Sequence, residues 1–502
     1  MDVDLATMDY YDNANLPDDY TYYDEQYPIV RVEDRVEYFN IKEELKNLVE
    51  NCMGTVVLQS ANQLRILLLS CLIFRIIARL SFIFASSFPN LRITLLHILS
   101  IILGFVALYS INHETFHTVV FVMLIYIFLT YIIFHIFCNF KLTCGRVVSV
   151  LTVLYLFSGE LLISVPQHWN QIRGVLLLLS MKSISLAFSL DNKNVLKPPS
   201  VFSYMGYCMH SGTLVFGPWV EYKDYVNSVL QPKPITFTWI FHVIKSLFFA
   251  CICLLLSTCL LSYLFIDATQ PELPSITPFV ANYWMLSYKS AISLHFSHFY
   301  ICYLSQTTCM LSGIGSEKHS DNQVWSEFSI TKPFAVEIPT SMLNVVVAWN
   351  MQTSKWLKEY VFDASKSLGR KMSVLLTYVA SAMLHGLSFH LAAVLLSLAF
   401  YTYVEYNLRK KISLVFNCPY VQSRPKKSEV QSAVPLWAYA FNFMWILINL
   451  MHLAYLGAIF QSEDETIAKE GYPMKHTIEK WANLNFFSHI FAFACFIFNS
   501  LM

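Results

Sequence analysis

SVLLTYVASAMLHGLSFHLAAVLLSLAFYTYVEY, residues 373–406, carries no charge before Glu405. As one helix it would run about 51 Å, against about 30 Å of hydrocarbon in a bilayer. It is therefore either one long tilted helix or two segments broken near Gly386. A stretch this apolar on every face belongs in a membrane. Two histidines, His385 and His390, sit in its middle. An imidazole placed there needs a partner or a task.

The rest of the chain has the same character. It is 56% hydrophobic and 14% charged, where soluble domains carry roughly 25% charged residues. Further apolar runs lie near 64–86, 92–111, 117–138, 147–165, 173–190, 236–266, 276–304, 435–460 and 483–501. With the two halves of the opening stretch (372–388 and 389–408), about eleven spanning or partly spanning helices are expected. They are too uniformly apolar for alternating barrel strands. The fold class is an all-α, polytopic membrane helical bundle. Residues 203–220 are apolar but hold Gly206, Gly212, Gly217 and Pro218, which suits a re-entrant segment. Around 356–361, Trp356, Leu357, Tyr360 and Val361 share one helical face, as in an interfacial helix. No internal repeat argues for a transporter.

Two units are expected. Residues 1–60 form an acidic, Tyr-rich, disordered tail, cytosolic or peripheral; residues 61–502 form the membrane domain. The first 50 residues hold 14 acids against 4 bases and lack the apolar core of a signal peptide. Net charge is zero, so no field points to nucleic acid. The 12 cysteines are scattered, without CxxC or Cys–His spacing, and read as small buried thiols rather than disulfides or metal ligands. Arg409, Lys410, Lys411, Arg424, Lys426 and Lys427 place the loop after residue 408 in the cytosol. The acidic loop after residue 460 then lies on the opposite, lumenal face, and the C-terminus returns to the cytosol.

Ionisable residues within spans are candidates for function. Glu160 and Lys182 are expected to pair across adjacent helices. His295 and His298 share a helical face, but no third ligand accompanies them, so polar packing between helices outweighs a metal site. His385 has Gly386 beside it, which lets a substrate or a helix approach closely. Ser381 lies one turn earlier on the same face. A neutral imidazole there could act as general base; satisfied packing is the competing reading. No nucleophile motif appears, so the nucleophile would belong to the substrate. Asn350, after Trp349, could donate to an oxygen gaining negative charge, or could simply cap a helix.

Five stretches and a short extension carry a resemblance: IRGVLLLLSMKSISLAF (172–188), GTLVFGPWVEY (212–222), NYWMLSYKSAISLHFSHFY (282–300), TKPFAVEIPTSMLNVVVAWNMQTSKWLKEYVF (331–362), TYVASAMLHGLSFHLAAVLLSLAFYTYVEY (377–406) and HLAYLGAIF (452–460). In this order they resemble the membrane-bound O-acyltransferase family, and within it the members that acylate Wnt-type secreted signals. The acidic tail is outside the resemblance. The resemblance implies a central catalytic chamber open to both sides of the endoplasmic reticulum membrane. Acyl-CoA would enter from the cytosol and the acceptor from the lumen. His385 matches the family's invariant histidine and Asn350 its paired asparagine. Trp349, Ser381 and Gly386 are expected to line the substrate site, with no metal. His390 takes a packing role. Palmitoleoyl-CoA is the expected co-substrate, a serine hydroxyl of a Wnt protein the expected acceptor. The rivals are transfer to a lipid or to another secreted protein, and a transporter with His385 in a proton relay.

Overall fold

The structure, a computed structural model, describes residues 46–84, 87–137, 143–163, 166–264, 279–315, 329–386, 388–425, 434–461 and 471–502. The acidic tail up to residue 45, Lys426, Lys427 and most of the acidic loop after 460 lie outside these. Among the described residues every regular element is a helix.

A first half runs α1 (Gly54–Phe84), α2 (Pro89–Ile111), α3 (Phe116–Phe137), α4 (Cys144–Leu162) and α5 (Pro166–Asp191). Three short helices follow: α6 (Val201–Cys208), α7 (Ser211–Leu214) and α8 (Tyr222–Leu230). Next, α9 (Phe237–Leu255) continues through a π turn into α10 (Leu261–Leu264), and α11 covers Phe279–Leu311. A second half holds α12 (Pro333–Glu337), α13 (Met342–Trp349), α14 (Met351–Leu357), α15 (Arg370–Leu384), α16 (Phe389–Val415), α17 (Leu436–Gly457), α18 (Met474–Asn483) and α19 (Phe487–Leu501).

All eleven predicted segments are helical. Eight helices among the described residues are long and apolar enough to span, or nine if α18 and α19, bent by 75°, count as one. The remaining two differ for physical reasons. The 33 residues of α11 mix Ser, His, Gln and Thr into the apolar run, as suits a helix inside the bundle. The 15 residues of α15 reach about 22 Å, short of a full crossing. The first span starts earlier than its apolar run, at Gly54 rather than near 64. Its opening turns expose Gln59, Asn62, Gln63 and Arg65, so the helix extends beyond the hydrocarbon. The opening stretch is two helices, broken after Leu384.

Residues 201–220 form the broken segment expected there. Backbone polar groups inside a membrane protein need partners, and this segment takes them from its neighbours. Buried Lys182 donates to the Tyr207 carbonyl (2.9 Å), the Cys208 carbonyl (3.3 Å) and Thr213 Oγ1 (2.8 Å). Ser100 Oγ donates to the Gly206 carbonyl (2.9 Å), and Thr308 Oγ1 to the Gly212 carbonyl (3.0 Å). A Cβ on Gly104 would meet the Met209 carbonyl carbon at 2.8 Å, so only glycine lets α2 pack this closely. Farther along, Arg75, Arg79 and Arg92 donate to carbonyls of Pro234, Pro232 and Leu230 at 3.1, 3.0 and 3.2 Å. Lys182 therefore does not pair with Glu160. It is spent on the carbonyls that the break sets free.

One cysteine pair departs from expectation. Cys52 and Cys259 form a disulfide, with Cα atoms 6.0 Å apart and a sequence separation of 207. Spacing alone does not reveal a bridge that the fold creates. The bridge also orients the bundle. Trp284 packs on Tyr455 (6.5 Å), and Gly457 lies against Ala291. The end of α17 thus sits beside the early part of α11, at the face where the α9–α10 run and Cys259 finish. The start of α17 and the end of α16 lie on the other face. The disulfide and the described basic residues Arg409, Lys410, Lys411 and Arg424 are therefore on opposite sides. Basic residues favour a cytosolic face, and a disulfide favours an oxidising compartment. Digestion without reductant should release the Cys52 and Cys259 peptides as one linked species by mass spectrometry. Cys52→Ser should lower unfolding stability by about 2–4 kcal/mol, read by thermal denaturation. Free, alkylatable thiols at both positions would refute the bridge.

Candidate active site

The histidine of the opening stretch lies where its helix ends. α15 rises from the face of the basic loop, where Arg370 Nη2 donates to the Tyr406 hydroxyl at 3.3 Å. It stops at Leu384, with His385 as its C-cap. Gly386 then adopts φ +85°, a conformation that costs other residues about 1–2 kcal/mol. The chain turns there and re-enters as α16. From Leu376 to Gly386 every residue is half-buried. No stripe of this segment is fully buried and none is fully exposed.

Two groups that the sequence did not connect to His385 stand next to this turn. A Cβ on Gly386 would meet Arg173 Nη1 and Glu160 Oε2, each at 2.7 Å. Those two side chains form an ion pair of 3.9 Å, and Trp169 Nε1 donates to the same Glu160 oxygen. His385 is within electrostatic reach of Arg173 and of His298. Glu160 is a candidate by its charge within an apolar run, with Lys182 expected as partner; Arg173, in the IRGVLLLL stretch, carries no sequence signal that ties it to either. Gly386→Ala brings the φ strain and forces the Glu160–Arg173 pair open. A loss of about tenfold in turnover, the equivalent of 1.4 kcal/mol, is expected, with expression near wild type. Unchanged turnover would show that the tight turn is dispensable.

The asparagine also lies at a helix break. α13 ends at Trp349, and Asn350 is extended (φ −145°, ψ 98°). Its Oδ1 accepts from the Thr353 amide at 3.0 Å, capping α14. The cap reading is thus right, and it has a consequence for the other half of the amide. With Oδ1 committed to the cap, Nδ2 is fixed as the outward donor, and among the described residues no acceptor takes it. The segment around it is clamped. Met351 donates to the Ile330 carbonyl (2.7 Å), while Lys332 N and Thr331 Oγ1 donate to the Ala348 carbonyl (3.0 and 3.1 Å).

His298, midway along α11, links the two. It stacks on the Trp349 indole, with ring centroids 4.1 Å apart and planes 6° off parallel. It is also the histidine within electrostatic reach of His385. His295 turns instead to Glu337, at 2.9 Å. The pair share a face as expected, and polar packing describes them. Ser381 lies half-buried one turn before His385 on α15. His390 is buried, with Ser388 Oγ 2.8 Å from its Nδ1 and the Phe460 and Tyr472 rings edge-on to it. That is a packed histidine.

α14 and the turns after it carry the segment expected to be interfacial. Trp356 is buried and donates to the Met181 carbonyl at 3.1 Å. Lys355 pairs with Glu221 at 2.9 Å. Asp363 is gripped by Lys366 (2.7 Å) and Lys358 (3.0 Å), whose hydrogen bonds hold its carboxyl below the usual carboxylate range.

A half-buried imidazole and an asparagine whose amide nitrogen is left free by its cap have the chemistry to accept a proton and to stabilise an oxyanion. The profile of the membrane-bound O-acyltransferase family matches residues 106–418, which include both. A human protein named protein-serine O-palmitoleoyltransferase porcupine is 36% identical over 473 residues, 92% of this chain and 99% of its own. The mouse protein of that name is 35% identical over 482 residues, with the same two coverages. The one from Anopheles gambiae is 32% identical over 356 residues, 66% of this chain and 70% of its own. The chain belongs to the membrane-bound O-acyltransferase family.

Proposed function

We propose that this protein transfers a palmitoleoyl group from palmitoleoyl-CoA to a serine hydroxyl of a Wnt protein, in the endoplasmic reticulum membrane. The observation that carries this reading is the likeness, along nearly the whole chain, to proteins named for protein-serine O-palmitoleoyl transfer. The chemistry fits the residues. The serine oxygen attacks the thioester carbonyl while His385 takes its proton. Asn350 Nδ2 donates to the carbonyl oxygen as it gains charge. The intermediate collapses, the C–S bond breaks, and the CoA thiolate recovers the proton from the imidazolium. Apolar helices beside the site would hold the fatty chain, each buried CH₂ contributing about 0.8 kcal/mol. Exclusion of water protects the thioester from hydrolysis.

The sidedness supports the compartment. The disulfide face is the lumen of the secretory pathway, and the face with Lys355, Arg370 and Arg409 is the cytosol, where acyl-CoA would enter. His385, beside Arg173 near the start of α5, lies toward the lumenal side, where the acceptor would enter. The test is a purified assay with labelled palmitoleoyl-CoA. Label should move to a Wnt peptide and not to the same peptide with its serine replaced by alanine. Label on a sterol or glycerolipid in preference to the peptide would overturn the acceptor, and ion or solute flux without acyl-CoA consumption would overturn the enzyme.

A further inference from the structure

The break between α13 and α14 leaves a backbone problem. In a continuous helix the Trp349 carbonyl would accept from the Thr353 amide. Here the Asn350 side chain takes that amide instead. The Trp349 carbonyl is left without its helical donor in the interior of a membrane protein, where an unpaired carbonyl is costly. His298 fills the gap. Its Nε2 lies 3.0 Å from that carbonyl oxygen. A carbonyl only accepts, so Nε2 carries the proton. The same imidazole covers the face of the Trp349 indole. His295, one turn earlier, meets the indole edge-on at 5.2 Å and 82°, and is itself held by Glu337 at 2.9 Å. The Cys302 thiol is 3.3 Å from the His298 Nε2 and makes a longer, weaker contact of 4.0 Å to the same carbonyl. Trp349 is thus fixed on its face, its edge and its carbonyl by side chains from α11, one of which, His295, is itself held by Glu337.

We propose that His298 is a positioning residue for the transfer reaction: by holding the carbonyl and the ring of Trp349 it keeps the backbone break that aims the Asn350 amide. This role rests on the acyl-transfer reading above. His298 contributes no proton to the reaction. It supplies a donor that a continuing helix would have made unnecessary, and so stabilises the extended conformation at Asn350. A misplacement of about 1 Å in such a group can cost on the order of 10²-fold in rate.

The test uses full-length purified protein, palmitoleoyl-CoA and a Wnt peptide. His298→Phe keeps a ring against Trp349 but removes the donor. It should lower kcat by about 10²-fold, with KM for acyl-CoA nearly unchanged. His298→Gln restores an N–H donor and should recover part of that loss. Asn350→Ala should cost little more in the His298→Phe background, because the first change has already misaimed the amide. Losses that multiply independently would overturn the proposal. So would a His298→Phe protein with unchanged kcat, or one whose loss appears in KM alone. Size-exclusion profile and melting temperature separate these outcomes from misfolding, and His298→Gln keeps the proposal testable if His298→Phe does not fold. A folded wild type that transfers nothing would sink the acyl-transfer reading itself, and this role with it.

Discussion

His385→Ala should lower peptide acylation by about 10²–10⁴-fold, while protein level, detergent-extracted size and melting temperature stay near wild type. The structure gives grounds for both halves of that expectation. The side chain is half-buried rather than packed, and among the described residues it makes no hydrogen bond whose loss would leave a buried partner stranded. It lies at the C-cap of α15, where the helix ends because Gly386 follows, not because of the imidazole. Removing it therefore takes away a proton acceptor and little else. His390→Ala is the contrasting control. That ring is buried between Ser388, Phe460 and Tyr472, so its loss should appear as lowered stability more than as lowered turnover. A folded His385→Ala protein that still transfers at wild-type rate would end the case for a base at this position.

Asn350→Asp should be as damaging to turnover as Asn350→Ala, about 10²–10³-fold, yet the two should differ in stability. Aspartate retains the oxygen that caps α14, so the break and the interfacial helix should persist. What it lacks is the N–H donor, and it brings a negative charge to a place where negative charge develops in the transition state. Alanine loses both functions and should also give up about 0.5–2 kcal/mol of capping. Turnover in the two variants, measured beside their melting temperatures, separates the cap from the donor. An active Asn350→Asp enzyme would mean that the cap alone was the asparagine's purpose.

The membrane bundle was legible because lipid imposes a strict rule: backbone groups must pair within each segment, so long apolar runs are helices. Gly386 marked the interruption within residues 373–406, and Gly206, Gly212, Gly217 and Pro218 marked the re-entrant piece, since these residues tolerate a backbone that others do not. His385 stood out as a polar ring in an apolar run, Asn350 as an amide at a helix end, and both through resemblance. Partners were another matter. Glu160 was matched with Lys182 from their nearness along the chain, whereas the fold gives Glu160 to Arg173 and Trp169 and spends Lys182 on carbonyls. Twelve cysteines gave no sign that Cys52 would meet Cys259.

From sequence alone, then, came the helical membrane architecture and the places where helices break. Each of these follows from local composition, because the solvent and the neighbouring backbone act on every residue directly; His385 and Asn350 were singled out by resemblance as well. Tertiary structure alone decided the disulfide, the Glu160–Arg173 pair at Gly386 and the hold of His298 on Trp349. Those depend on which helices become neighbours across long stretches of chain. That outcome is set by packing summed over the whole bundle, and no short window of sequence contains it.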